Sequence, residues 1–180
     1  MRARPALRLM IIAIAISAIG YRLWYSLVKP SCPVQYAPYT VSGNSLEGLI
    51  RPGTMVRIAN GYYKCHPVER GDIVAYRFPE SAPLVKVVRA IPGDMWEIVL
   101  NTDRASYEII VNGSPLTTSR GERYQLSEDA KRLLALYVRD FKNVIPPDSF
   151  LLLGNLPGGS FDSSAFGLAA KSDVIGKVMR

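Results

Sequence analysis

The sequence is poor in the residues on which many hydrolases and metal sites depend. It contains one histidine, His66, and two cysteines, Cys32 and Cys65, among 180 residues. A Ser-His-Asp or Cys-His hydrolase would have to use His66, which follows a tyrosine-rich stretch typical of an exposed loop. A zinc site would have only these three residues as imidazole and thiolate ligands. We therefore predict no metal and no cofactor.

Acidic side chains are absent from the first 29 residues. These residues carry five of the seven excess positive charges, so the remainder of the chain is nearly balanced, with 17 basic and 15 acidic residues. A nucleic-acid-binding domain would instead cluster lysine and arginine on its folded face. The sequence predicts no nucleic-acid partner.

A long apolar run accounts for the basic start of the chain. Residues 9–28 supply about 20 largely apolar positions, the length of a helix that crosses a bilayer. The positive-inside rule places residues 1–8 in the cytoplasm and the chain after residue 29 outside, with membrane lipid as a partner. A cleaved signal peptide is the alternative interpretation, and it also exports the chain. Export places Cys32 and Cys65 in an oxidising compartment. There they could form one disulfide or stay as two thiols, and the sequence does not decide between these alternatives.

The pattern beyond the apolar run is that of a mostly β protein with antiparallel strands. Residues 29–40 contain three prolines and predict a linker, and residues 41–180 predict one extracytoplasmic domain. A serine followed by two acidic residues and an apolar stripe predicts a single helical insertion at 127–140. Runs rich in valine, isoleucine and aromatic residues between Gly and Pro turns predict strands at 54–59, 72–78, 84–91, 96–100, 107–111, 150–153 and 174–178.

Lys86 is the lysine best placed to serve as a general base. In a strand its neighbours two positions away, Leu84 and Val88, share its face, and apolar surroundings lower the pKa of an amine. The competing interpretation is a solvated lysine on an edge strand. Ser45 follows a turn that contains Gly43, where backbone N–H groups can face an incoming carbonyl, although serine in such a turn is often only a turn residue.

The blocks that carry these residues resemble, in order, those of the type I signal peptidases, which are membrane-bound serine proteases with a Ser-Lys dyad. The matching segments follow the apolar run and extend to the end of the chain. They are VSGNSLEGLI at 41–50, RGDIV at 70–74, KVVRAIPGD at 86–94, VNG at 111–113 and GNLPGGSFDSSAFG at 154–167 followed by VIGK at 174–177.

The resemblance implies a barrel-like antiparallel β fold behind one transmembrane helix, with exported preproteins as substrates. It implies that Ser45 is the nucleophile and Lys86 the general base. Ser160 would then bond the lysine, and Asp162 would hold the last block in place. A shallow apolar pocket that selects small residues, as in Ala-x-Ala sites, would be lined by three residues, which are Val41, Leu84 and Val85. An extended substrate strand is expected to pair with residues 84–88.

Several positions depart from the family pattern. Leu46 replaces a methionine, an apolar residue of similar volume. Gly48 stands where proline is usual, and the other differences are Thr54, Asn155 and Ser164. These differences question the polar network around Asp162 more than the dyad.

Three other functions remain open at this level. A conjugative-transfer peptidase that processes pilin shares the dyad but acts on one dedicated substrate. Self-cleaving repressors of the SOS type share the β fold and the dyad, but they carry a DNA-binding domain where this chain has an apolar run. An inert membrane-tethered β module would perform no covalent reaction at Ser45. The sequence leaves the oligomeric state open.

Overall fold

The computed structural model describes residues 17, 20 and 32–179. The chain divides into two compact units, Met1–Cys32 and Pro33–Arg180. The predicted transmembrane span at 9–28 lies almost entirely outside the described residues. Among the residues that are described, no helix has the length and apolar character needed to cross a membrane. Cys32 and Cys65 are both disulfide-bonded.

The second unit is built from ten strands, two helices and two short 3₁₀ turns. The helices are α1 (Glu128–Asp140) and α2 (Ser163–Phe166), and the 3₁₀ turns are Tyr62–Lys64 and Lys171–Asp173. The strands are β1 (Gln35–Thr40), β2 (Met55–Asn60), β3 (Ile73–Tyr76), β4 (Leu84–Ala90), β5 (Trp96–Asn101), β6 (Ser106–Val111), β7 (Ser114–Pro115), β8 (Ser149–Leu153), β9 (Ala169–Ala170) and β10 (Val174–Met179).

These strands form two antiparallel sheets. The larger sheet has seven strands in the order β1-β2-β10-β3-β4-β8-β9, and the smaller sheet has three in the order β5-β6-β7. The pairing order of the large sheet is open, with β1 and β9 at its two ends, where the family resemblance implied a barrel-like closure. The mostly β, antiparallel class is confirmed.

All seven predicted strands are present, with ends that differ by at most two residues from the prediction. The predicted helix begins with Ser127 as its N-cap, whose side chain accepts a hydrogen bond from the backbone N–H of Ala130 at 3.2 Å. β1 was not predicted, because its residues were assigned to the linker at 29–40. Pro38 fits there because β1 is an edge strand, where a missing backbone N–H is tolerated.

β4 lies inside the large sheet, which excludes the edge-strand interpretation of Lys86. Lys86 is opposite Val74 of β3. On the other side, β8 pairs with Val87 and Val88. The expectation that a substrate could pair along all of residues 84–88 is therefore wrong for its last two residues, whose neighbour is already a strand of the protein.

The core packs on both faces of β4. One cluster includes Val85 and Val87 together with Leu46 of the loop before β2. A second cluster includes Val88 and, as a partly buried neighbour, Leu84. A third cluster joins the small sheet, α1 and the inner side of β8. The large sheet thus supplies a rigid base on which loops from distant parts of the sequence meet.

Candidate active site

Ser45 lies in a turn that is tied to the core on both sides. The backbone enters this turn from Val41 through Gly43, whose φ is 81°. Leu46, directly after Ser45, is completely buried in the cluster that contains β4 residues. The N–H groups of residues 49 and 50 both bond the carbonyl of Leu46 at 2.9 Å. The half-buried serine therefore lies in a loop that is held in place by burial of the following residue, Leu46.

Lys86 reaches the same region from the centre of β4. Only 4% of this residue is exposed. Its Nζ donates a hydrogen bond to the Oγ of Ser160 at 3.3 Å. Ser160 in turn donates its hydroxyl proton to Oδ2 of Asp162 at 2.6 Å. The carboxylate thus fixes the orientation of the hydroxyl, and a lone pair on the Ser160 Oγ accepts the hydrogen bond from the lysine.

Asp162 is the centre of a fully formed polar network. It is completely buried and is the N-cap of α2. Besides Ser160, its oxygens accept from the N–H of Gly154 at 2.8 Å and from the N–H and hydroxyl of Ser164 at 3.0 and 2.7 Å. Ser164, one of the departures from the family pattern, therefore contributes to the network that the departures had placed in question.

The environment of Lys86 favours its neutral form. Burial lowers the pKa of this ammonium below its ordinary value, because removal from water disfavours charge. The carboxylate of Asp162 acts in the opposite direction, since a nearby negative charge favours the ammonium. Burial is the larger of the two effects. A lysine in this state can accept a proton nearer neutral pH than an exposed lysine can.

Ser45 and Lys86 line one small pocket of about 250 Å³. The three residues predicted to form a substrate pocket, Val41, Leu84 and Val85, line the same cavity. Residues 81–83, Tyr39 and Ser42 complete its lining. The structure thus brings together all the predicted site residues, because Ser160 and Asp162 lie directly behind Lys86. The single histidine lies elsewhere, exposed and stacked on Tyr62 at 4.2 Å between ring centroids.

Asn155 holds the serine loop, a role that the sequence did not predict. Its backbone N–H bonds the carbonyl of Ser45 at 2.6 Å. Its side-chain Nδ2 donates to the carbonyl of Glu47 and to the hydroxyl of Ser119, both at 2.7 Å. Its Oδ1 accepts from the Ser119 N–H at 2.8 Å and from Arg89 at 3.1 Å. One buried side chain therefore joins three segments that are distant in sequence.

Two positions in this region require glycine for structural reasons. A Cβ on Gly154 would lie 2.7 Å from the Ser45 carbonyl oxygen and 2.5 Å from the Ser160 Oγ, so only glycine allows the two serines to approach from either side. Gly48 has a φ of 84°. Proline, which the family usually has there, is restricted to a φ near −65° and could not adopt this turn.

A family model described as "Signal peptidase, peptidase S26" matches residues 8–180 of the chain. The chain belongs to this signal peptidase family. Signal peptidase IB of Staphylococcus aureus (strain COL) is 31% identical over 153 residues, covering 78% of this chain and 74% of that protein. Signal peptidase I of Bacillus caldolyticus is 26% identical, covering 79% of this chain and 77% of that protein.

A crystal structure of a signal peptidase I from Enterococcus faecalis V583 is also similar, with 22% identity and a TM-score of 0.40 over 62% of this chain and 97% of that one. Membership in the signal peptidase family rests on the sequence matches. It confirms the resemblance drawn from the ordered blocks and makes the chain a member of a peptidase family.

Proposed function

We propose that this chain is a signal peptidase I, a serine endopeptidase that removes N-terminal signal peptides from exported preproteins. The observation that carries the proposal is the shared pocket: Ser45 and Lys86 both line it, and the lysine has a lowered pKa. A hydroxyl beside a neutral amine is the pair of groups that nucleophilic catalysis without histidine requires.

In the first half of the reaction, neutral Lys86 takes the proton from the Oγ of Ser45 as that oxygen attacks the scissile carbonyl. Backbone N–H groups of the turn that carries Ser45 stabilise the negative oxygen. When the C–N bond breaks, the ammonium of Lys86 returns the proton to the leaving nitrogen. The acyl group of the signal peptide is then an ester on Ser45, and the mature protein leaves as an amine.

In the second half, Lys86 accepts a proton from water while the water oxygen attacks the ester. The proton passes to the Oγ of Ser45 as the signal peptide leaves with a carboxyl end. Ser160 acts as a positioning residue: because its own proton is directed to Asp162, it accepts one N–H of the amine and leaves the amine lone pair free for the proton of Ser45.

The dimensions of the pocket support a preference for small side chains beside the cut. Its volume of about 250 Å³ is shared among the substrate side chains next to the scissile bond, and Val41, Leu84 and Val85 give it an apolar lining. We infer that the substrate backbone pairs with residues 84–86, since β8 begins its pairing with β4 only at Val87. Main-chain bonds would supply affinity, and the pocket would supply selectivity.

A single membrane anchor at residues 9–28, with the catalytic domain outside the cytoplasmic membrane, completes the proposal. Substrates held in the same membrane would meet the enzyme at a raised effective concentration. Removing residues 1–29 should then slow processing of a membrane-embedded preprotein more than cleavage of a short soluble peptide. Equal losses on both substrates would contradict the anchor's role.

The decisive experiment uses full-length protein in detergent with a preprotein that carries an Ala-x-Ala site. Wild type is compared with Ser45→Ala and Lys86→Ala, and with Ser172→Ala and Lys64→Ala as matched exposed controls. We expect N-terminal sequencing to find a cut after the second alanine, lost in the first pair and kept in the second. Cleavage that survives either dyad substitution would refute the mechanism. No cleavage by any form would favour a dedicated pilin substrate or an inert module.

The pH dependence provides a separate test of the base. The lysine must be neutral to accept the serine proton, so kcat/KM should fall as the pH drops below the lowered pKa of Lys86. A profile that stays flat down to the ordinary carboxylate range would exclude Lys86 as the base. The measurement is kcat/KM for a soluble peptide between about pH 5 and pH 10.

A further inference from the structure

Three phenylalanines join the loop that carries Ser160 to the segment before β4. Phe161 lies between Ser160 and Asp162 in the sequence, and its ring meets the ring of Phe78 edge to face, with 4.9 Å between the centroids. Phe166, at the end of α2, contacts both rings, with its centroid 5.6 Å from that of Phe161 and 5.3 Å from that of Phe78. Aromatic rings attract one another at such separations. We call these three phenylalanines the aromatic cluster.

The segment after Phe78 forms one side of the substrate pocket. Residues 81–83 line the pocket together with the dyad. At the far end of the segment, the carbonyl of Pro83 accepts a hydrogen bond from the hydroxyl of Tyr39 at 2.7 Å. At the near end, the carbonyl of Phe78 accepts one from the N–H of Ser81 at 3.3 Å. The segment is thus held by Tyr39 at one end and by the aromatic cluster at the other.

The backbone conformation of this segment depends on those two contacts. Glu80, near its centre, has a φ of 55°, in the left-handed region that residues other than glycine rarely adopt. Such a conformation persists only where the surrounding contacts enforce it. Pro79 and Pro83 each have a nearly fixed φ, so few backbone bonds can absorb a movement of Phe78 before it reaches the pocket.

We propose that Phe161 is a positioning residue that sets the size selectivity of the substrate pocket. By holding the ring of Phe78, it keeps residues 81–83 where the pocket admits small side chains and excludes larger ones. This inference rests on the proposed peptidase function, and it adds a residue outside the pocket lining to those that select the substrate. The chemical step should change little without the ring, because Asp162 holds the Ser160 loop through its own hydrogen bonds.

The first test measures selectivity in the full-length protein with Phe161→Ala, Phe161→Tyr and, as the control, Phe141→Ala. Phe161 and Phe141 are both exposed, at 53% and 44%, and the Phe141 ring stacks on Tyr137 of α1, outside the pocket lining. Two peptides differ only in the residue before the cut, which is alanine or 2-aminobutyrate, one methylene larger. The ratio of kcat/KM for the alanine peptide to that for the larger one reports the selectivity.

In Phe161→Ala we expect this ratio to fall about tenfold, because a pocket that discriminates one methylene loses that discrimination when its wall moves. The change should lie mainly in KM. Phe161→Tyr, which keeps the ring, and Phe141→Ala should both keep the wild-type ratio. A lower Tm of Phe161→Ala with an unchanged ratio would show that the ring only stabilises the fold, and equal losses of kcat with both peptides would show that it acts on the dyad. Either result would overturn the proposal.

The double variant Phe78→Ala/Phe161→Ala tests whether Phe161 acts through Phe78. Once the ring of Phe78 is absent, Phe161 has nothing to hold, so the double variant should have the same selectivity ratio as Phe78→Ala alone. Two independent losses that multiply in the double variant would overturn this route.

The last test does not depend on turnover. Amide hydrogen exchange of wild type, Phe161→Ala and Phe141→Ala is followed by mass spectrometry. Loss of the Phe161 ring should speed exchange within residues 77–84, which include the bonded N–H of Ser81, and Phe141→Ala should exchange there at the wild-type rate. Unchanged exchange in Phe161→Ala would overturn the positioning role. If wild type cleaves no peptide, the proposed function fails, but the exchange rates still decide whether Phe161 holds this segment.

Discussion

Lys86 in the large sheet and Glu108 in the small sheet are both nearly inaccessible, with 4% and 2% of their surfaces exposed. Glu108 receives a hydrogen bond from Arg123 and another from Asn101, both at 2.7 Å. Burial alone would raise the pKa of this carboxyl, but these donors outweigh burial and the pKa is lowered. Lys86 instead bonds a neutral hydroxyl, and its pKa is lowered by burial.

With Lys86 as the proposed general base, the difference separates a structural charge from a reactive one. The carboxylate of Glu108 is stabilised in its charged form, as expected for a group that holds β5 and β6 to the segment after β7. Burial lowers the pKa of Lys86, at a cost to folding, and this shift favours the neutral form that the proposed mechanism needs. The large sheet therefore carries the lysine that we propose as the base, and the small sheet carries a buried charge that stabilises the fold.

The largest effect is expected from Lys86→Met, which removes the reactive charge and keeps the volume. Activity should fall at least about 10³-fold. A lysine whose folded pKa is lowered destabilises the folded state at any pH below its unfolded pKa, near 10.4. The Tm of the variant at pH 7 should therefore equal or exceed that of wild type, and this advantage should shrink as the pH approaches about 10.

Lys177→Met is the matched control for that experiment. A hydrogen bond to Asp72 raises the pKa of Lys177, and the pair lies at 2.5 Å. This contribution to stability is present below the unfolded pKa and is lost as the pH rises through the folded one. Thermal unfolding at pH 7 should show a lower Tm for Lys177→Met, opposite in sign to Lys86→Met. Equal signs would remove the contrast between reactive and structural charges.

Gly154→Ala should have the next largest effect. Its methyl group would overlap the Ser45 carbonyl and the Ser160 hydroxyl, so the two halves of the site must separate. A displacement of about 1 Å lowers catalysis about 10²-fold. Gly158→Ala is the control, because a Cβ there meets nothing within 4 Å. Peptide cleavage rates of the two variants, measured with their Tm values, test the prediction, and similar rates would contradict it.

Asn155→Asp replaces the side-chain N–H donor with an acceptor oxygen and adds a negative charge. The Ser119 hydroxyl can rotate to donate to the new carboxylate, but the Glu47 carbonyl cannot, so the serine loop loses one tie. An unsatisfied buried acceptor costs about 1–3 kcal/mol, and we expect kcat to fall about tenfold with KM little changed. Asn143→Asp, at an exposed turn, should match wild type. A change confined to KM would show that Asn155 acts on substrate binding instead.

Glu108→Gln should have the smallest effect on activity and a clear effect on stability. Loss of the charge weakens the bonds to Arg123 and Asn101, and we expect the free energy of unfolding at pH 7 to fall by about 1–3 kcal/mol. A lowered carboxyl pKa contributes stability that is lost on acidification, so the gap to wild type should narrow as the pH falls through that pKa. Denaturant unfolding at pH 7 and at about pH 3 measures this.

Glu97→Gln, an exposed position in β5, is the control for Glu108→Gln and should leave stability unchanged. Cleavage rates should be the same in both variants and in wild type. A loss of activity in Glu108→Gln without a loss of stability would mean that the small sheet takes part in the chemistry. That result would break the comparison between the two regions.

Most of the strands and the longer helix, α1, could be predicted because their sequence signals are local. Alternation of apolar residues, Gly and Pro turns and the Ser127 cap each act within a few residues. β1 could not be predicted, because a proline such as Pro38 is compatible with a strand only at a sheet edge. The order of strands in a sheet depends on pairing between segments that are distant in sequence. β9 has only two residues and α2 only four, too short for any periodic signal.

The seven site residues were expected from the resemblance of ordered blocks, and the structure places them together. Their chemistry alone was ambiguous: Lys86 fitted an exposed edge strand as well as a buried one. The position of β4 between β3 and β8 removes the edge alternative. Asn155 was noticed only as a departure from the family pattern, because a residue that bonds Ser45, Glu47 and Ser119 has no signal in its neighbours.

The sequence by itself determined the family, the antiparallel β class and the ends of most elements, and it supplied the serine and the lysine that we propose as the dyad. These depend on residue type, spacing and order along the chain. Only the tertiary structure decided that Lys86 is buried and bonded to Ser160, and that Asn155 and Gly154 set the position of the Ser45 loop. Those properties depend on which segments pack together across the sheet, because packing sets the burial of a side chain, its pKa and the shape of a cavity.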